Sequence, residues 1–300
     1  MRSLTTIFVL LILFSGSRLT AQSLSFTEAI KLPNAINSVH EESNLFVSDD
    51  NSILIFSRSA NKQSDKATEL YFGTKNDDDK WSYVMPFPQN DANGADELRV
   101  VGMTESRKHY FIENLASKKP KLYVQRCGNE FCQYHLDRVD IKIKGKKLQD
   151  IYVHPDDSVM LFSMMPDNDV NQGQEDIYVS LKNSKGVWSE PKNLGVTLNS
   201  DQSEITPYLS HDKKRLFFAS TRDESIGGYD IFYTDRLYDS WILWTVPRRL
   251  DDAINTTANE TSFFINDNAA YFMRDQNGDN DIFQSQKEDY FPVSAEGEGQ

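Results

Sequence analysis

Apolar and polar positions along the chain fall into short runs of four to eight residues bounded by Asp, Asn, Ser, Gly and Pro. No helical period is sustained, so strands and tight turns are the expected elements. One arrangement recurs. VWSEPKNLGVTLNSDQSEITPYLSHDKKRLFFAS runs from Val187 to Ser220, and LWTVPRRLDDAINTTANETSFFINDNAAYFMR from Leu243 to Arg274. Each holds a proline, then a leucine, then an Asn with a Glu five residues later, then a strand-like apolar run. Phe26 to Ser59 repeats it, so Asn37 to Glu42, Asn199 to Glu204 and Asn255 to Glu260 share one spacing.

Two further landmarks give the period. Tyr71, Tyr123, Tyr178, Phe232 and Phe283 each follow an acid or polar residue and a hydrophobic one, at intervals of 52, 55, 54 and 51 residues. Phe26, Trp81, Tyr134, Trp188 and Trp241 follow at intervals of 55, 53, 54 and 53. A period near 50 with four strand-like runs per unit describes propeller blades. The second run of each unit (ILIF, HYFI, VMLF, LFFA, AYFM) is apolar throughout, as a strand covered on both faces should be. The chain starts with a fourth-strand segment and ends after a third-strand segment, DIFQSQ. The expected fold is therefore all-β: a five-bladed β-propeller of four-stranded antiparallel blades, with the N-terminal segment completing the last blade. Closure of this kind removes an exposed strand edge.

Residues 1–21 read as a signal peptide: Arg2, then the apolar run Ile7 to Phe14, then Leu19-Thr20-Ala21 as the cleavage site. That run is too short to span a bilayer as a helix. The propeller is expected over residues 22–290, and 291–300 read as a polar tail. The formal net charge is −13, and removal of two Arg with the leader makes it −15. An acidic surface argues against nucleic acid, whose affinity comes largely from Lys and Arg on phosphates. The expectation is an exported monomer with no membrane span, periplasmic, outer-membrane-associated or secreted.

GGYDIFYTD at Gly227, EDIYVS at Glu175, VWSEPKNLG with LNS at Asn199, and LSHDKKRLFFAS resemble the TolB-like, WD-repeat-like β-propeller repeats of bacterial envelope proteins. The resemblance covers nearly all of the chain after the leader. It implies a non-enzymatic interaction module that binds a protein or cell-envelope component.

Candidate chemistry lies in four places. Glu42, Glu97, Asp150, Glu204 and Glu260 stand at the starts of the first strands. They read as a ring of carboxylates at one mouth of the channel, with three roles open: hydrogen bonds to a neighbouring turn, contact with a cation or basic partner, or catalysis. The last is the alternative function, a glycosidase-like carbohydrate-active enzyme with carboxylates in the central funnel. Asp167, Asp169 and Asn171 in PDNDVNQGQED, and Asp275, Asn277, Asp279 and Asp281 in RDQNGDNDIF, read as surface turns or as calcium loops. Calcium is the only cofactor suggested. Cys127 and Cys132 bracket GNEF and read as a hairpin disulfide, with free thiols or a metal site as alternatives. No serine-nucleophile, zinc-protease or P-loop motif occurs, and His40, His109, His135, His154 and His211 show no ligand spacing.

Overall fold

The computed structural model describes residues 24–59, 68–87, 98–113, 115, 119–127, 136–143, 146–166 and 174–288. Glu97, Cys132, Asp167, Asp169, Asn171, the leader 1–21 and the tail 291–300 lie outside the described residues. Strand β1 (Ile30–Lys31) opens the chain. Blade one holds β2 (Glu42–Val47), β3 (Ile53–Ser59), β4 (Thr68–Lys75) and β5 (Trp81–Pro86). Blade two holds β6 (Leu98–Met103), β7 (Lys108–Glu113), β8 (Lys121–Arg126) and β9 (Asp137–Val139). Blade three holds β10 (Lys146–Val153), β11 (Val159–Pro166), β12 (Asp176–Leu181) and β13 (Lys192–Asn193). Blade four holds β14 (Glu204–Leu209), β15 (Arg215–Ser220), β16 (Asp230–Asp235) and β17 (Arg248–Arg249). Blade five holds β18 (Asn259–Ile265), β19 (Ala269–Gln276) and β20 (Asp279–Gln286). Its fourth strand is β1, in the order β1-β20-β19-β18.

The expected five-bladed propeller is the observed fold, and the ring closes as the phase of the repeat requires. Ile30 pairs with Gln284 and Lys31 with Phe283, antiparallel. The Thr27 and Leu32 amides donate to the Gln286 and Ile282 carbonyls at 2.9 and 3.0 Å. The first strands β2, β6, β10, β14 and β18 pack against one another in a ring around the axis. The apolar second runs are the middle of each sheet: Leu54–Phe56, Tyr110–Ile112, Met160–Phe162, Leu216–Ala219 and Ala270–Phe272 are all buried. Among the described residues there is no helix, and so none long and apolar enough to cross a membrane.

The recurring Asn and Glu join one blade to the next. Asn255 accepts from the Ile231 amide and donates to the Ile231 and Leu250 carbonyls. Asn199 does the same to Ile177, and Asn37 to Ile282 and Leu32. Each Asn thus continues the hydrogen bonding of the preceding blade's third strand beyond its short fourth strand. The Glu accepts from the hydroxyl and amide four residues earlier: Ser38 for Glu42, Ser200 for Glu204, Thr256 for Glu260. An Arg, buried in blades four and five and half-buried in blade one, then binds the Glu and a carbonyl of the connecting turn. Arg58 reaches Glu42 and Ile36, Arg222 reaches Glu204 and Leu198, and Arg274 reaches Glu260 and Ile254. Each guanidinium also lies over two stacked rings: Phe56 and Tyr71, Phe218 and Phe232, Phe272 and Phe283. The aromatic landmark of the third strands is the second ring of each stack.

One landmark moves. Arg236 bridges to Trp244 as Lys182 bridges to Trp188. The equivalent aromatic of the fourth copy is therefore Trp244, which is buried, and not Trp241, which packs beside it at 6.3 Å.

Removing one partner from a buried pair strands the other charge. Glu260→Ala, which leaves the buried Arg274 without its carboxylate, is expected to lower unfolding stability by about 3 to 5 kcal/mol. Glu105→Ala at an exposed site should change it by less than about 0.5 kcal/mol. Urea titration followed by tryptophan fluorescence measures both, and equal midpoints would remove the clamp from its structural role.

Candidate functional site

The proposed ring of five carboxylates is not present as a ring. Glu42, Glu204 and Glu260 are fully buried, inside the clamps described above, and do not face the channel. Burial pushes the pKa of Glu204 up, against the opposing pull of Ser200 and Arg222. Asp150 is not the third copy's equivalent of these residues. In blade four Leu209 pairs with Leu216 and Glu204 with Ser220. In blade three Val153 pairs with Met160 and Leu148 with Met164. Counting back from the hairpin, Leu148 takes the glutamate's place, and Leu98 takes it in blade two. Asp150 falls two residues later, level with Asn44, Thr206 and Ser262.

That displacement puts Asp150 on the channel. The inner strands enclose an axial cavity of about 160 Å³. Its walls combine Phe46, Tyr152, Tyr208, Phe263 and Phe264 with Asn44, Arg99, Gln149, Thr206 and Ser262. Apolar and aromatic walls with a few placed polar groups are the usual make-up of a small-molecule site. Among the described residues Asp150 is the only carboxylate on this wall. It is half-buried, and the Ile151 amide donates to its Oδ1 at 2.8 Å. Burial raises its pKa from 3.8 to about 6, although the Ile151 bond and the charge of Arg99 pull the other way. A carboxyl that titrates near pH 6 and touches a cavity can donate a proton there.

A β-bulge creates this geometry. The register shifts between Leu148 and Asp150 in β10, and similarly between Ile205 and Tyr208 in β14 and between Thr261 and Phe264 in β18. Bulges re-aim side chains beside functional sites. At the bulges of blades one, four and five, Asn44, Thr206 and Ser262 have φ of 54°, 48° and 50°.

Asp275, Asn277, Asp279 and Asp281 belong to a hairpin. Gln276 pairs with Asp279, so Asn277-Gly278 is the two-residue turn, with φ of 62° and 81°. Asn-Gly is the expected pair for such a turn. Asp275 accepts the Gly278 amide at 2.7 Å, and Asp281 pairs with Lys31 of the closing strand. No group of three or more His, Cys, Asp or Glu among the described residues is arranged to hold a metal ion. Cys127 is disulfide-bonded, and Cys132 is the chain's other cysteine.

No family model and no curated protein matches the sequence. Solved structures do match. A glycoside hydrolase aligns at 10% identity over 89% of this chain and 93% of its own, with a TM-score of 0.59. A β-1,2-mannobiose phosphorylase from Listeria innocua aligns at 8% identity over 85% and 93%, with a TM-score of 0.51. An endo-arabinase from Bacteroides thetaiotaomicron aligns at 13% identity over 90% and 99%, with a TM-score of 0.50. At these identities the likeness establishes the fold, which is also the extent of what the chain shares with TolB-like repeats. The expectation of a non-catalytic binding module is corrected. These whole-chain matches are sugar-acting propellers, and the carbohydrate-active alternative is the reading they favour.

The pKa of Asp150 ties stability to pH. Its folded value lies above the unfolded one, so its contribution is full below about pH 4 and is lost as pH rises through about 6. Asp150→Asn, neutral throughout, should therefore be more stable than the parent at about pH 8, by up to about 3 kcal/mol. The two should be equal near pH 4. Urea midpoints at the two pH values measure this, and an Asp150→Asn variant that is less stable at both would refute the raised pKa.

Proposed function

We propose that the protein is a carbohydrate-active enzyme that receives a glycoside at the axial cavity and uses Asp150 as its proton donor. The observation that carries the reading is the placement of this one carboxyl: on the channel, among aromatic walls, and half-protonated near pH 6. Glycosidic bonds break when the departing oxygen is protonated as the C–O bond lengthens. A carboxyl with a pKa near the working pH suits that transfer better than one at its ordinary value. Tyrosine and phenylalanine rings suit the apolar faces of a sugar, while Asn44, Gln149 and Thr206 offer hydrogen bonds to hydroxyls.

Two carboxylates normally share the work, one as acid and one as base or nucleophile. Glu97, two residues ahead of the cavity residue Arg99, is the sequence's candidate for the second. The leader-like segment at 1–21 supports a place of action outside the cytoplasm, where glycans are met.

A panel of aryl glycosides and plant and bacterial oligosaccharides, followed by reducing-end release, tests the reading. The expected pH profile of kcat/KM falls above about pH 6 as Asp150 loses its proton. Asp150→Asn should lower kcat by about a hundredfold or more. Glu97→Gln should do the same while leaving the upper limb of the profile in place. Unchanged turnover in the Asp150→Asn variant would eliminate Asp150 as the acid.

A further inference from the structure

The second charged side chain of the cavity is not explained by the fold. Arg99 sits on β6, half-buried, on the cavity wall. Most other guanidiniums of the sheets are committed. Arg58, Arg222 and Arg274 bind the clamp glutamates, Arg215 binds Asp235, and Arg249 binds Asp230 and Asp252. The Arg99 side chain makes no hydrogen bond and no ion pair with any described residue, while its main chain lies in the β6–β7 ladder opposite Ile112. Its one electrostatic relation is at a distance, lowering the pKa of Asp150 without pairing with it. A guanidinium drawn partly out of water with its donors unspent is costly unless something arrives to use them.

We infer that the cavity selects an acidic sugar, a uronic-acid residue whose carboxylate is bound by Arg99 while its ring lies against the aromatic wall. The inference rests on the glycan reading above and adds the substrate class. The guanidinium fork matches a carboxylate in two parallel N–H···O bonds. A single cation suits a singly charged group; a phosphate dianion beside Asp150 would meet a carboxylate with one guanidinium to offset it. The chain as a whole carries a net charge of −13, so an uncommitted cation inside its channel is a local device and not part of a basic surface.

Occupancy of Arg99 has a consequence at Asp150. An anion on the guanidinium cancels the charge that favours the ionised carboxylate, so the carboxyl takes up a proton as the ligand binds. The acidic sugar would thereby load the group that protonates its own glycosidic oxygen. Affinity should then fall as pH rises through the range above about 6.

Titration calorimetry with short oligogalacturonides and with neutral galacto-oligosaccharides of the same length tests this. The acidic ligands are expected to bind the parent protein at least about tenfold tighter, the scale of a charge-assisted pair. Binding should take up protons, seen as an enthalpy that depends on the buffer, and Asp150→Asn should abolish that uptake. Arg99→Met should bring the acidic ligands down to the neutral level, and Arg99→Lys should keep part of the preference. Thermal melts show whether each variant is folded, and the Arg99→Lys variant decides if the Arg99→Met variant is not. Equal affinity for acidic and neutral ligands, unchanged in the Arg99 variants, would overturn the uronate assignment and leave the glycan reading standing. Binding of inorganic phosphate but of no oligogalacturonide would also overturn it. Binding of neither sugar series would remove the glycan reading itself.

Discussion

The interaction on which the ring depends is the buried glutamate–arginine clamp. In it a fully buried carboxylate collects an amide, a hydroxyl and a guanidinium, and that guanidinium also satisfies a turn carbonyl and lies on two stacked rings. Each component alone would be expensive to bury: an acid, a cation and an unpaired carbonyl. Together they satisfy one another where one blade's last strand turns into the next blade's first, except that Glu42 Oε2 in blade one makes no hydrogen bond. The buried apolar residues form a cluster that runs through all five blades, and these joints add a polar connection where one sheet passes to the next.

The clamp is present in blades one, four and five. Blades two and three have Leu98 and Leu148 in the glutamate's place, and Glu113 and Met164 across from them on the second strand. Those are the blades that supply Arg99 and Asp150 to the channel. The two facts belong together. Where a leucine replaces the clamped glutamate, the inner strand is free of the paired-charge pattern, and Arg99 and Asp150 stand on the wall of the cavity. The repeat holds the structure and its departures carry the chemistry.

This division explains what the sequence revealed. The fold was legible because the clamp recurs: Asn37, Asn199 and Asn255 with their glutamates at fixed spacing, and the stacked rings about one period apart. The candidate site was half legible. Asp150 stood out as an acid near a strand start, but aligning it with Glu204 hid its true level. A bulge and a leucine substitution separate the two, and the anchor that works is the hairpin after Tyr152 and Tyr208. Arg99 was missed. Its signal was a lone charge in LRVVGM, inside a first strand where the clamped copies carry Ser, Ile or Thr. The Asn277-Gly278 turn was visible as a dipeptide, and the surface-turn reading of its flanking acids is the one the hairpin register matches.

The two ends of the channel are also unlike, which gives the cavity a direction. Beyond Tyr208 the axis narrows between its ring and those of Phe46, Phe264 and Tyr152, with centroids 5.1 to 5.5 Å apart along that cluster. At the hairpin end, His211 of blade four reaches Asp49 of blade one at 2.8 Å and approaches Glu105 of blade two at 3.8 Å. Blades one and four are not neighbours in the ring, so this contact crosses the axis. Beside it, Asp156 holds His154 at 2.8 Å and also pairs with Lys213. A polar bridge thus lies over the aromatic cluster at that end. The clamped glutamates lie at the other end, where the first strands begin, with their charges already spent inside the joints. On the channel wall itself the charged side chains among the described residues are Asp150 and Arg99.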